Sequence, residues 1–207
     1  YFYKCRVLAA RTIILMGKND DDIFNKNVKI VVAFYREKFF EKEKILKRND
    51  FSDFETYFVR KKIDKVLAES TDSMNCNAVV AVKLLIEILE FNDNSNNKYK
   101  DDDYISHLIK CCSLLKIQFD EDMKKRLLKQ LLRYIKIDQI FPSKNKKISC
   151  SSIKAIAVLD KNLQLPNRTQ IDFMSLFIKF LRRLNFVFRF FISQKFNFFE
   201  DIKAIFI

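Results

Sequence analysis

Glycine and proline are almost missing from this 207-residue chain, which has one glycine, Gly17, and two prolines. Only glycine takes positive φ freely and lets a backbone close on a ligand. Phosphate-binding loops, dinucleotide fingerprints and nucleophile elbows need several glycines at set spacings, so they are excluded. Tight hairpin turns want glycine too, which argues against an all-β fold. Tryptophan is absent and histidine occurs once. The five cysteines, Cys5, Cys76, Cys111, Cys112 and Cys150, form no C-x-x-C pair. That removes a zinc ribbon and a disulfide framework and leaves free thiols in a reducing compartment. No stretch reaches the ~20 apolar residues of a membrane span.

Groups that carry chemistry are correspondingly few. His107 and Cys111 stand four residues apart on an apolar-periodic helix and read as packing rather than as a nucleophilic pair. Asp101, Asp102 and Asp103 with Asp93 lack the calcium-loop pattern and read as a solvated linker and helix cap. The expectation is a protein that is not an enzyme, with no cofactor, no metal and no small-molecule substrate.

What is present is apolar residues at 49%, 22 phenylalanines, and 39 Lys and Arg against 26 Asp and Glu, a net charge of +13. A surplus of that size suits nucleic acid, an anionic membrane face or an acidic protein. It is uneven: residues 141–207 hold 12 basic and 4 acidic residues. The abundance of Phe, Ile, Lys and Asn also fits AT-rich coding, which dilutes its functional meaning. The chain does not begin with Met, so it reads as a fragment or processed product. Its first 19 residues, with Lys4, Arg6, Arg11 and Lys18 and no acid, have the character of an organellar transit peptide.

Apolar residues recur with helical period almost throughout. The pattern predicts helices over Tyr3 to Met16 (ending at Gly17), from Asp20 to Leu46, around Phe54 to Leu67, and from Met74 to Glu90. Further helices are predicted from Asp103 to Leu115, Glu121 to Ile137, Ser151 to Asp160 and Thr169 to Leu184. A polar loop is expected over 92–102 and a basic loop over 141–150. The Phe-rich element over 185–207 is apolar on nearly all sides and is expected to be buried. At an offset of 48, Ile105 aligns with Ile153, Leu108 with Ile156, Leu115 with Leu163, Met123 with Ile171 and Leu128 with Leu176. Each copy reads as one helical hairpin, and such hairpins bury their faces only by stacking. The fold class is therefore all-α: antiparallel hairpins stacked as an α-solenoid, one repeat domain over 1–207.

The hairpin pattern carries a resemblance. The run Ile105-Ser106-His107-Leu108-Ile109, then Leu114-Leu115-Lys116-Ile117, Asp120, Leu127, Leu128, Leu131 and Leu132, resembles the repeats of RAP/FASTK-like organellar helical-repeat RNA-binding proteins. The copy from Ser151 to Leu176 fits it as well. No RAP domain accompanies the repeats. The resemblance implies an α-solenoid on organellar RNA, rRNA above all, in a mitochondrial ribosome among neighbouring protein subunits.

The residues chosen for RNA are three basic clusters. Lys125, Lys129, Arg133 and Lys136 follow i, i+4, i+8 and i+11 on one helix and would track a phosphate backbone. Lys144, Lys146 and Lys147 make an exposed loop. Lys179, Arg182, Arg183 and Arg189 are richer in arginine, which contacts phosphate bidentately. The alternative reading is a HEAT- or armadillo-like scaffold that binds protein only.

Overall fold

The structure is a computed structural model that describes residues 2–41, 45–93, 96–116 and 121–163. Helices eight and nine of the sequence reading, including the Phe-rich element over 185–207, lie outside the described residues. Seven α-helices are described: α1 (Phe2–Met16), α2 (Asp21–Phe39), α3 (Phe54–Glu69), α4 (Val79–Phe91), α5 (Asp102–Ser113), α6 (Glu121–Ile140) and α7 (Lys147–Leu163). The all-α repeat expectation is met. One short exception follows α2, where β1 (Phe40–Glu41) pairs antiparallel with β2 (Ile45–Leu46). The helix predicted to run to Leu46 stops at Phe39 because Phe40 is already extended (φ −115°, ψ 151°).

The helices form two rows. In the odd row α1 packs on α3 and α3 on α5; in the even row α2 packs on α4 and α4 on α6. The buried Ser106 hydroxyl of α5 meets that of Ser151 of α7 at 2.7 Å and extends the odd row. The most apolar helix, α4, holds the middle, with Ala81, Val82, Leu84, Leu85, Ile86, Ile88 and Leu89 all buried. The other helices bury Phe24, Val28, Tyr35, Ile63, Leu67, Leu108, Leu131 and Ile156. Leu108 and Ile156, paired by the 48-residue offset, are both fully buried.

Polar side chains define the corners. Asp20 caps α2, its Oδ1 accepting from the backbone N–H groups of Asp22 and Ile23 at 3.0 Å each. Asp53 caps α3 through Thr56 N–H. Met74 to Ala78, predicted as helix, is turn and loop, and α4 begins at Val79. The cause is Asn77, which is buried. Its Nδ2 donates to the Ala68 and Ser70 carbonyls at 3.0 and 2.7 Å, and its Oδ1 accepts from Lys116 N–H at 2.6 Å. One side chain thus ties the end of α3 to the end of α5.

Gly17 is not a left-handed cap: no glycine here has positive φ. It is required for room. A Cβ at Gly17 would come 2.6 Å from the backbone nitrogen of Phe24, closer than real contacts allow. The left-handed positions are instead Asn75 (φ 60°), Asn145 (φ 55°) and Lys146 (φ 52°), two of them asparagine, which tolerates this region best after glycine.

Candidate interaction surfaces

The basic stripe of α6 is only partly a free surface. Lys125, Lys129 and Lys136 are exposed. Arg133 is half-buried and turned inward, where its Nη2 donates to the carbonyls of Leu89 and Glu90 at 2.9 and 3.0 Å. Its guanidinium also lies 5.0 Å from the Tyr134 ring centre. Arg133 therefore caps the carbonyl end of α4 and is withdrawn from the predicted stripe. Neighbouring pairs stitch the same row: Arg36 of α2 holds Glu87 of α4 through both carboxylate oxygens (3.2 and 2.5 Å), and Arg126 of α6 holds Glu90 of α4 at 2.6 Å.

The predicted basic loop over 141–150 is half helix, since α7 begins at Lys147. Two of its three lysine side chains are engaged. Lys146 donates Nζ to the Asp138 carbonyl at 2.8 Å, and Lys147 pairs with Asp103. The backbone N–H of Lys144 donates to Asp102 at 3.2 Å. Beneath them Asp138 of α6 accepts from Ser143 N–H (2.6 Å), from Ser149 N–H (3.0 Å) and from the Ser149 hydroxyl. Burial opposes its charge, but these bonds outweigh burial and hold the carboxyl below its ordinary range. Lys179, Arg182, Arg183 and Arg189 lie outside the described residues.

The densest polar constellation is buried, and the sequence reading missed it. Arg60 of α3 is 2% exposed. Its Nε donates to the Tyr104 hydroxyl at 3.0 Å and to the Tyr35 hydroxyl at 3.3 Å; its Nη1 donates to the Lys47 carbonyl and to Asn49 Oδ1, each at 2.8 Å. Asn49 passes the chain on, giving Nδ2 to Asp101 at 2.7 Å. Asp64, one turn after Arg60, is fully buried, and burial raises its pKa to about 6 while Arg60 pulls the other way. Asp101 is likewise raised to about 7 by burial, against the bond from Asn49. Asp101 is thus a core residue, which corrects the solvated-linker reading. A signal was there: Arg60 and Asp64 stand four apart between the apolar positions Val59, Ile63, Val66 and Leu67.

His107 and Cys111 do touch, at 3.4 Å, and His107 Nε2 lies 2.7 Å from the Lys61 carbonyl. Burial lowers the His107 pKa to about 4 and pushes the Cys111 thiol well up. A neutral imidazole beside a protonated thiol is the reverse of an activated pair. Among the described residues no cluster of three His, Cys, Asp or Glu side chains could hold a metal, and no helix is long and apolar enough to cross a membrane.

Two rows of stacked helices, with polar groups spent on joining neighbours, define an α-helical repeat protein. Residues 1–186 match the family described as TAF2-like, TPR repeats, and the chain belongs to that family. Relatives include transcription initiation factor TFIID subunit 2 of Saccharomyces cerevisiae, 31% identical over 140 residues, covering 65% of this chain and 10% of the relative. The Schizosaccharomyces pombe protein of the same name is 30% identical over 134 residues (58% and 11%). That of Danio rerio is 25% identical over 135 residues (59% and 11%). The chain spans about a tenth of the length of these relatives.

These findings correct several expectations. The RAP/FASTK-like resemblance does not hold: it rested on leucine spacing, which any stack of amphipathic hairpins shares. The mitochondrial ribosome, the rRNA partner and the mitochondrial location fall with it, because the relatives are subunits of a transcription initiation factor. The transit-like residues 2–16 form α1, which packs on α2 and α3 as an integral part of the fold.

Proposed function

We propose that this chain is a non-catalytic scaffold segment of a TFIID subunit 2-like protein, working in the nucleus by holding other protein subunits. The observation that carries the reading is the family match over residues 1–186. The use of side-chain chemistry supports it: Arg36–Glu87, Arg126–Glu90, Arg133 and Asp138 join helix to helix, and Asn77 bridges the ends of α3 and α5. A rigid ladder of helices offers long surfaces to partners. The test is to tag the full-length parent protein at its own locus, purify it under native conditions and identify what cofractionates. Other subunits of the transcription initiation factor are expected, with nuclear fluorescence of the tagged protein. Cofractionation with organellar ribosomes, or none with transcription factor subunits, would overturn the reading.

A further inference from the structure

The outward side of the odd row combines cations with exposed apolar side chains. On α3 the exposed positions Phe54, Phe58, Lys62 and Lys65 follow i, i+4, i+8 and i+11, one helical stripe. Phe54 is 60% and Phe58 38% exposed. The Tyr3 ring of α1 lies 5.6 Å from that of Phe58, so the aromatic surface crosses from one helix to the next. Arg11 and Leu15 of α1 line a shallow hollow with Val66 and Glu69 of α3. Further along the row stand Lys110 of α5, and Lys154 and Val158 of α7, all exposed.

The carboxylates near this row are spent internally. Glu55 pairs with Arg6 at 3.5 Å, Glu69 with Lys65 at 3.3 Å, and Asp103 with Lys147. Arg11, Lys62, Lys110 and Lys154 make no ion pair among the described residues. In the even row α2 also exposes Lys26, Ile30, Phe34 and Lys38, together with the acid Glu37, whereas the exposed lysines of α6 have no exposed aromatic beside them on that helix, Tyr134 being buried.

We infer that the outward face of α1, α3, α5 and α7 docks an acidic segment of a partner protein that carries aromatic or aliphatic anchors. Its carboxylates would meet Arg11, Lys62, Lys110 and Lys154, and its anchors would sit on Phe54 and Phe58. Charge complementarity chooses an anion, and the interleaved phenylalanines choose a peptide over duplex DNA, which a basic surface binds through its phosphates alone. The inference rests on the scaffold reading and gives it a surface and a partner chemistry.

The test is a random-peptide display selection on the immobilised 207-residue chain, followed by fluorescence anisotropy with the enriched peptides. Enriched peptides are expected to combine Asp and Glu with Phe or Leu. The triple change Lys62→Glu, Lys110→Glu, Lys154→Glu should weaken them by about tenfold or more, as should Phe54→Ser. Reversal of Lys125, Lys129 and Lys136 on α6 should leave affinity within about twofold. All these side chains are exposed, so unchanged urea midpoints confirm that each variant is folded. Three results would overturn the inference: enrichment of peptides without acidic residues, equal loss in the α6 variant, or duplex DNA binding tighter than the peptides and indifferent to Phe54→Ser. If these occur while transcription factor subunits still cofractionate, only this surface is removed. If cofractionation fails, the scaffold reading goes with it.

Discussion

Arg60 sits where a charge is costly, and its surroundings are built to hold it. Replacing it with leucine would leave the Tyr35 and Tyr104 hydroxyls, the Lys47 carbonyl and Asn49 short of a donor, and Asp64 without its cation. Breaking such a group from one side costs about 3–5 kcal/mol. Urea denaturation of Arg60→Leu should show that loss, and Arg60→Leu with Asp64→Leu should recover part of it. Asp101 adds a pH dependence. Its folded pKa is raised to about 7 from 3.8. The folded state therefore binds the extra proton between those values, and this contribution is full below about pH 4 and lost as pH rises towards 7. His107, lowered to about 4 from 6.5, acts the opposite way, losing stability as pH falls below about 6.5. The two oppose each other, so the measurement is the difference between wild type and Asp101→Asn. Across pH 4 to 7 the variant should gain about 2–4 kcal/mol relative to wild type. In the sequence the hub shows only as the spacing of Arg60 and Asp64 among apolar positions, because hydropathy periodicity marks a buried arginine as a polar position.

The helices themselves were legible because caps and periodicity agree. Asp20 is the clearest case: the Asp20-Asp21-Asp22 run marked a helix start, and the structure begins α2 at Asp21 with Asp20 as the cap. Asp20→Ala should cost about 1 kcal/mol in thermal or urea unfolding. Ends set by tertiary contacts were not legible. The onset of α4 was misplaced because Asn77 is recruited by Lys116, thirty-nine residues away. Gly17 ends α1 as the sequence predicts, but what it supplies there is room, not positive φ. If it served only as a left-handed cap, Gly17→Asn would be well tolerated. Since the α2 backbone occupies the space of its side chain, Gly17→Ala and Gly17→Asn should both destabilise, by about 1–3 kcal/mol. Differential scanning calorimetry of the two variants decides between these readings.

At the scale of the whole molecule, stacked hairpins touch mainly their neighbours, which makes repeat arrays quasi-one-dimensional. The all-α repeat solenoid was readable in the helical periodicity, while the second copy of the 48-residue offset lies, beyond Leu163, outside the described residues. The direction of the partner was not readable, because surface lysines look alike in a sequence whether they face a ligand, a carbonyl or water. Arg133 shows this: its spacing matches Lys125, Lys129 and Lys136, yet its guanidinium serves α4. The Arg60 hub departs from the one-dimensional pattern, since Tyr35, Lys47, Asn49, Arg60 and Tyr104 come from α2, the segment after β2, α3 and α5. A plain ladder pulled from its ends opens like a zip, one rung at a time. Here the first three hairpins share a single knot. Stretched in an optical trap, residues 21–113 should hold and then give way in one jump, whereas Arg60→Leu should open in smaller steps at lower force. The molecule would then act as a stiff strut under load, not as a spring.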